Sequence, residues 1–370
     1  MAVIVGTLAN EILAGINFDP TNFVFGEGVI DFFETGGNDA VIGGKSSENH
    51  LYGDSFLIEF ATGGNDIVVG GDNSLNFAWG DAEQLRLSTG GDDVVIGGHN
   101  SENHLCGEGA VMSPSFPAPI YTIGGNDTII GGDNSQNFAC GDAETMIAFS
   151  QGGNDTIIGG ANSFNDLRGD GLGEGANEFR GCIGGDDLLI GGTNSTNYMY
   201  GDAGLLFFGS IGGDDTLIGG VGGINYMYGD GHTINETITG DDRLVSAVRT
   251  TDHMWGDAQT VEDKVSLFGK NTFVFSPHNG VDYIYDFHQG QDTIELDGVF
   301  NIPLSEQAQA HIPPQAAGHL LASFSDLDIQ TVDTNGDQFA DSSLIQLGQK
   351  NSITVYGVTQ LTEADFHFLV

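Results

Sequence analysis

The chain has 370 residues, of which 52 are acidic and 9 basic, for a formal net charge of −43 at pH 7. Nucleic acid and anionic membranes are poor partners for it, because like charges repel. The 59 glycines and 8 prolines mark a chain rich in turns but without the three-residue period of collagen, and its 39% hydrophobic content recurs in register, as a disordered acidic chain would not show.

The start, MAVIVGTLAN, has no basic region and no long apolar core, so no Sec signal is expected. No stretch approaches 18 consecutive apolar residues, so no membrane span is expected either. Asn10-Glu11-Ile12-Leu13-Ala14-Gly15 and Asn22-Phe23-Val24-Phe25-Gly26-Glu27 read as a worn first copy of the repeat that follows, making 1–35 a degenerate capping coil.

Eight regular copies occupy 36–269. Their opening turns align on Gly37, Gly64, Gly91, Gly125, Gly153, Gly185, Gly213 and Gly240, at spacings of 27, 27, 34, 28, 32, 28 and 27. A second glycine follows each of these by 16 positions, at Gly53, Gly80, Gly107, Gly141, Gly169, Gly201, Gly229 and Gly256. Every change of length therefore falls in the third run of the unit, where the inserts around 111–121 and 171–182 read as surface loops. The runs are too short and too glycine-bounded for helices. One repeat per turn of a parallel β-solenoid (β-roll or β-helix) of about nine to ten coils, all-β in class, keeps such a period in register.

From Asn271 the register changes, and 270–370 reads as a separate, mostly β C-terminal module with a short helix starting at Ser305. Within it Asp333, Asn335, Asp337 and Asp341 stand at positions 1, 3, 5 and 9 of an EF-hand-like loop, although Gln338 and Leu344 replace its usual Gly and Glu. The stretch reads either as a calcium loop or as an Asp/Asn-rich hairpin turn.

Stacking places equivalent residues in rows. Val41, Val68, Val95, Ile129, Ile157, Leu189, Leu217 and Leu244 form one inward row, and Leu51, Ala78, Leu105, Ala139, Leu167, Met199, Met227 and Met254 a second. Asp39, Asp66, Asp93, Asp127, Asp155, Asp187, Asp215 and Asp242 form a third row, a few ångströms apart. Unit charges at about 5 Å repel by roughly 1–3 kcal/mol for effective dielectrics between 80 and 20. No Lys or Arg recurs to offset this, whereas calcium accepts carboxylates and the carbonyls of glycine turns. The row Asn49, Asn76, Asn103, Asn137, Asn165, Asn197, Asn225 and Asp252 reads as an amide ladder or a weaker ion row. Asp54, Asp81, Glu108, Asp142, Asp170, Asp202, Asp230 and Asp257 either bind ions or are solvated. Cys106 and Cys140, equivalent in adjacent copies, are candidates for a bridge. His50, His104 and His253 alternate in their row with Phe77, Phe138 and Tyr198, a packing pattern rather than a ligand set. Ile42, Val69, Ile96, Ile130, Ile158, Ile190, Ile218 and Val245 are expected outward on the first strand, and Tyr52, Phe77, Trp79, Phe138, Tyr198, Tyr200, Tyr226, Tyr228 and Trp255 on the second.

The unit Gly125-Asn126-Asp127-Thr128-Ile129-Ile130-Gly131-Gly132 resembles the haemolysin-type repeat of the RTX family, G-G-x-G-x-D-x-U-x with U a large aliphatic residue. The resemblance implies a calcium-binding β-roll, with the metal role carried to the Asp39–Asp242 row. RTX coils are commonly about 18 residues, two nonapeptides with Asp at both turns; the longer unit and the Asn row here favour a three-sided coil loaded along one edge. The end of the chain, Asn351-Ser352-Ile353-Thr354-Val355-Tyr356-Gly357-Val358 and Ala364–Val370, resembles the tail of RTX proteins exported by type I secretion.

Neither HExxH nor GxSxG occurs, and the repeats begin within the first fifteen residues, so no enzyme is expected. The expected function is a secreted, calcium-binding structural protein that folds outside the cell or at its surface and self-assembles into a filament, sheath or layer. The alternative is a monomeric calcium-dependent adhesin or ligand-binding solenoid, with cell-surface glycans or proteins as partners.

Overall fold

The computed structural model describes residues 1–30, 32–113, 121–147, 149–172, 179–262, 266–298, 300–301, 319–348 and 350–369. The helix expected from Ser305 lies outside them. The chain is all-β and winds into a parallel β-solenoid of about nine turns. Each coil has three sides. Three-residue strands such as Val94–Ile96, Thr128–Ile130 and Thr156–Ile158 stack as the first side, a sheet of twelve strands. Five-residue strands such as Glu102–Cys106, Gln136–Cys140 and Phe164–Arg168 stack as the second, a sheet of fourteen. The third side is shorter and discontinuous, with sheets of four and three strands. Its variable length explains the breaks.

One repeat makes one coil: Ile129 pairs with Val95 on one edge and Ile157 on the other. All sixteen residues of the two inward rows are completely buried, in a core that runs the length of the solenoid. Each large side chain among them contributes about 1.5–3 kcal/mol by leaving water, and every coil borrows the far half of its packing from its neighbours. A second apolar core, including Ile58, Leu85, Met112, Met146, Leu206 and Ile234, lies under the third side. The turn between the first two sides is made by left-handed residues, among them Asn73, Asn100, Asn134, Asn162 and Asn194 at φ of 53–54°. Asn tolerates that conformation better than most side chains.

The asparagine row is an amide ladder. Asn137 Nδ2 donates to Asn165 Oδ1 at 2.8 Å and to the Gly132 carbonyl at 3.0 Å, and its Oδ1 accepts from Gly132 N–H and from Asn103. The ladder runs from Asn22 to Asn225 and ends on Asp252. Cys106 and Cys140 form a disulfide between adjacent coils. His50 and His104 stack between Phe23, Phe77 and Phe138 at centroid distances of 4.6–5.0 Å.

Three expectations change. Tyr52, Trp79, Tyr200, Tyr228 and Trp255 do not point to solvent: they stack in buried clusters where the second side turns toward the third. The 1–35 segment holds more than one coil, since Ala2–Val5 pairs with Thr21–Phe25, and that strand pairs with Glu48–Tyr52. The region after 270 does not form a body apart. Thr272–Phe275, Thr293–Asp297 and Phe366–Leu369 extend the first sheet in parallel, Val281–Ile284 extends the second, and Phe273, Ile294 and Ile353 join the same core. The last strands of the second sheet, Asp328–Val332, Ser342–Gly348 and Asn351–Val355, pair antiparallel, as do the short strands Phe300–Asn301 and His319–Leu320 beside them. Among the described residues no helix is long and apolar enough to cross a membrane.

Candidate metal centre

Between the two apolar cores run two rows of carboxylates. The first is the turn row. Asp39, Asp66, Asp93, Asp127, Asp155, Asp187, Asp215 and Asp242 each stand just before a first-side strand and are 1–3% exposed. Each is tied to its neighbour through the backbone: Asp93 N–H donates to Asp127 Oδ1, Asp127 N–H to Asp155, and Asp155 N–H to Asp187, all at 2.6 Å. The row continues past the repeats, as Asp242 N–H donates to Asn271 and Asn271 N–H to Asp292.

The second row is the one that follows the second side: Asp54, Asp81, Glu108, Asp142, Asp170, Asp202, Asp230 and Asp257, preceded by Glu27. Solvation is ruled out for it, since all nine are at most 1% exposed. Each reaches across its own coil and accepts the N–H of the opening-turn glycine, as Asp54 does from Gly64 at 2.8 Å and Asp202 from Gly213 at 2.9 Å. That contact pins the return of the third side.

The two rows meet. One carboxylate oxygen each from Asp54, Asp66 and Asp81 lie within 4.8 Å of one another. Ligands held at 2.3–2.6 Å around one hard cation have this spacing. The backbone is drawn in as well. A Cβ on Gly53 would lie 1.6 Å from the Gly80 carbonyl and 2.3 Å from an Asp66 carboxylate oxygen, so only glycine lets these oxygens converge.

Each hydrogen bond above occupies one oxygen. A second oxygen is buried without a partner on every member of the turn row, and likewise on Glu27, Asp54, Asp81, Glu108, Asp170, Asp202, Asp230 and Asp257. Among the described residues the ion pairs of either row reduce to His288, 3.7 Å from Asp257 and 3.7 Å from Asp292. An ionised carboxylate in such a place is expensive unless it is paired. Burial accordingly pushes the Asp66 carboxyl up to about 8 and those of Asp142 and Asp202 up to about 7. Burial first, then the neighbouring acids, raise Asp81, Asp155, Asp170, Asp215 and Asp230 well above the ordinary carboxylate range. Ion-free, the rows therefore hold protons or repel one another, and their converging oxygens make an all-oxygen donor set of the kind a hard cation could take.

Asp333, Asn335, Asp337 and Asp341 lie elsewhere, on the exposed hairpin between Asp328–Val332 and Ser342–Gly348. Both oxygens of Asp333 accept backbone N–H groups, from Gly336 and Gln338 at 2.7 Å, and Asn335 and Asp337 cap the N–H groups two residues on. Asp341 accepts from Thr334. These contacts are those of a side-chain-capped turn, the second of the two readings of the stretch.

Sequence reasoning placed the turn row and left the second row open. The constant 16-residue offset was its signal, since a fixed offset to an acid means a fixed place in the coil. The extension through Asn271 and Asp292 was also legible, in Gly269-Lys270-Asn271-Thr272-Phe273 and Gly290-Gln291-Asp292-Thr293-Ile294, which repeat Gly125-Asn126-Asp127-Thr128-Ile129. Compared with protein-family models, curated proteins and solved structures, the chain matches none.

Proposed function

We propose that the chain is a calcium-dependent structural solenoid that folds when calcium replaces the protons or the repulsion of its two interior acidic rows. The observation that carries the reading is the set of sixteen buried carboxylates, each with an unpartnered oxygen, in a chain with nine basic residues. Calcium suits an all-oxygen site of carboxylates and backbone carbonyls, with irregular geometry and several acids. The turn row from Asp39 to Asp242 supplies one ligand per coil. The resemblance of Gly125–Gly132 to the RTX repeat points the same way. Binding energy then becomes folding energy.

An extracellular or cell-surface setting, reached by type I secretion, goes with this reading. A chain that stays unfolded at low calcium can be threaded out and fold where calcium is plentiful. The Cys106–Cys140 disulfide belongs to an oxidising compartment as well. No catalytic role is assigned. The solenoid acts as a rigid element.

Self-assembly into a filament or layer rests on the outward apolar rows that burial leaves. With Tyr52, Trp79, Tyr200, Tyr228 and Trp255 buried, the outward apolar row of the first sheet remains, where Ile42 is 37% exposed and Val69, Ile96, Ile130 and Ile158 are half-buried, beside the half-buried Phe77, Phe138, Tyr198 and Tyr226 of the second. Calcium binding lowers the net charge that keeps copies apart. The test is a calcium titration followed by circular dichroism and light scattering. We expect β-structure to appear with calcium, followed by growth in mass that Ile130→Lys abolishes. A chain equally folded in EDTA at neutral pH overturns the calcium reading. Folding into a strictly monomeric species, unchanged by Ile130→Lys, leaves the monomeric adhesin or ligand-binding solenoid as the function.

A further inference from the structure

The amide ladder ends abnormally. Seven copies place Asn at its position, but the eighth places Asp252, and the next coil places Asp282 beside it. Both carboxylates are fully buried. Asp252 Oδ1 accepts from Asn225 Nδ2 at 2.6 Å, and Asp252 N–H donates to Asp282 Oδ1 at 3.2 Å. An amide ladder propagates because each Asn both donates and accepts. A carboxylate only accepts, so the ladder stops at Asp252 and a second acceptor faces it.

Oxygens outnumber hydrogens around this pair. Thr250 Oγ1 has one hydrogen but lies 2.7 Å from the Ala247 carbonyl, 2.9 Å from Asp252 Oδ2 and 3.1 Å from the Asn279 carbonyl. Ser246 Oγ lies 3.2 Å from Asp282 Oδ2 and 3.4 Å from the Ala247 carbonyl. Two hydroxyl hydrogens thus face five oxygen contacts. The nitrogen donors to the carboxylate oxygens are Asn225 Nδ2, Ala247 N–H, Asp252 N–H and Asn279 Nδ2. Asn279 itself is 1% exposed, its amide lies against Asp282 at 2.5 Å, and its Oδ1 has no partner. Two carboxylates, two hydroxyls, backbone carbonyls and a spare amide oxygen are the donor set of a hard divalent cation.

We propose that Asp252, Asp282 and Asn279, with the hydroxyls of Ser246 and Thr250, form a separate divalent-cation site of the calcium class at the end of the amide ladder. It is a different place from the two acidic rows, on the turn between the first and second sides. One divalent ion neutralises both carboxylates and gives Thr250 Oγ1 a ligand role that needs no extra hydrogen. The site fastens the last regular coil to the strand Val281–Ile284, where the second sheet leaves the repeats.

The test counts bound calcium by equilibrium dialysis with radiocalcium on the full chain. Asp252→Asn/Asp282→Asn extends the neutral ladder by two rungs and is expected to bind one ion fewer than the wild type while keeping the β-spectrum. Asp282→Asn alone leaves the ladder's end at Asp252 intact and is expected to show the same loss. Asp127→Asn, in the turn row, is the control for the interior sites. An unchanged count in both ladder variants, alongside a lowered count in Asp127→Asn, overturns this site and leaves the interior rows standing. A wild type that binds no calcium overturns both.

Discussion

The backbone N–H of Asp127 donates to one carboxylate oxygen of Asp155 at 2.6 Å, and the other oxygen of Asp155 is buried with no partner. The same side chain thus fixes the register of two coils and holds open a place for a positive charge. Repeated along the row, this couples the vertical stacking of the solenoid to whatever neutralises its carboxylates.

The first prediction is an inverted pH response. Burial raises these carboxyls, so the ion-free folded chain binds more protons than the unfolded chain between the ordinary carboxylate value of 3.8 and, for Asp66, about 8. Stability without calcium is therefore fully present below about pH 4 and falls as pH rises through 7 for Asp142 and Asp202 and through 8 for Asp66. In EDTA the β-spectrum should strengthen as pH is lowered from 8 to about 4. In calcium the order reverses, since protons compete with the ion. Thermal melts across pH, with and without calcium, check the crossing; parallel curves would contradict it.

Asp127→Asn should separate the two states. Asn keeps an oxygen for Asp93 N–H and removes the buried charge. Without calcium the variant should be more stable than the wild type by about 1–3 kcal/mol, the scale of burying an unpaired polar or charged group. With calcium it should be the less stable, with a lower ion count. Urea unfolding under both conditions reads the change of sign.

Asn137→Ala should be destabilising in either state. It strips partners from Gly132 N–H, the Gly132 carbonyl, Asn103 Nδ2 and Asn165 Oδ1, all inside the fold. A loss of about 2–4 kcal/mol is expected from buried polar groups left unpaired. Asn137→Asp should preserve the acceptor contacts and still break the onward bond to Asn165, giving a midpoint shift in urea that grows with pH.

Removing the disulfide acts through the unfolded chain. Cys106 and Cys140 are 34 residues apart, and closing a loop of that size is worth about 3–4 kcal/mol in the chain-entropy account. Cys106→Ser/Cys140→Ser should lower stability by up to this amount in calcium while leaving the ion count unchanged. Reduction of the wild type should reproduce the effect.

Much of this architecture is written in short-range periodicity. The inward rows and the neighbours of Asp127 follow from spacing alone, because a parallel coil maps equal offsets onto equal places. What spacing does not carry is how wide the coil is. Whether Asp54 faces water or Gly64 depends on how the third side folds back, and only the closed coil shows that it folds back over the acids. Tyr52 and Trp79 were misplaced for the same reason: strand alternation gives a side, not what comes to cover it. The change at Asn271 reads as a boundary because the paired glycines thin out there, yet Thr272-Phe273 and Thr293-Ile294 keep the pattern that packs.

The bond from each second-row acid to its own glycine has a consequence for how such a chain can grow. Asp54 holds Gly64, ten residues on, at 2.8 Å, and Asp170 holds Gly185, fifteen residues on, at 3.0 Å. The clasp is the same although the intervening path is half as long again. Contour length and pitch are therefore independent variables in this molecule. Material can be spliced into the outer wall of any single turn without altering the rise to the next, so a rod of fixed spacing can carry appendages of any size at chosen heights.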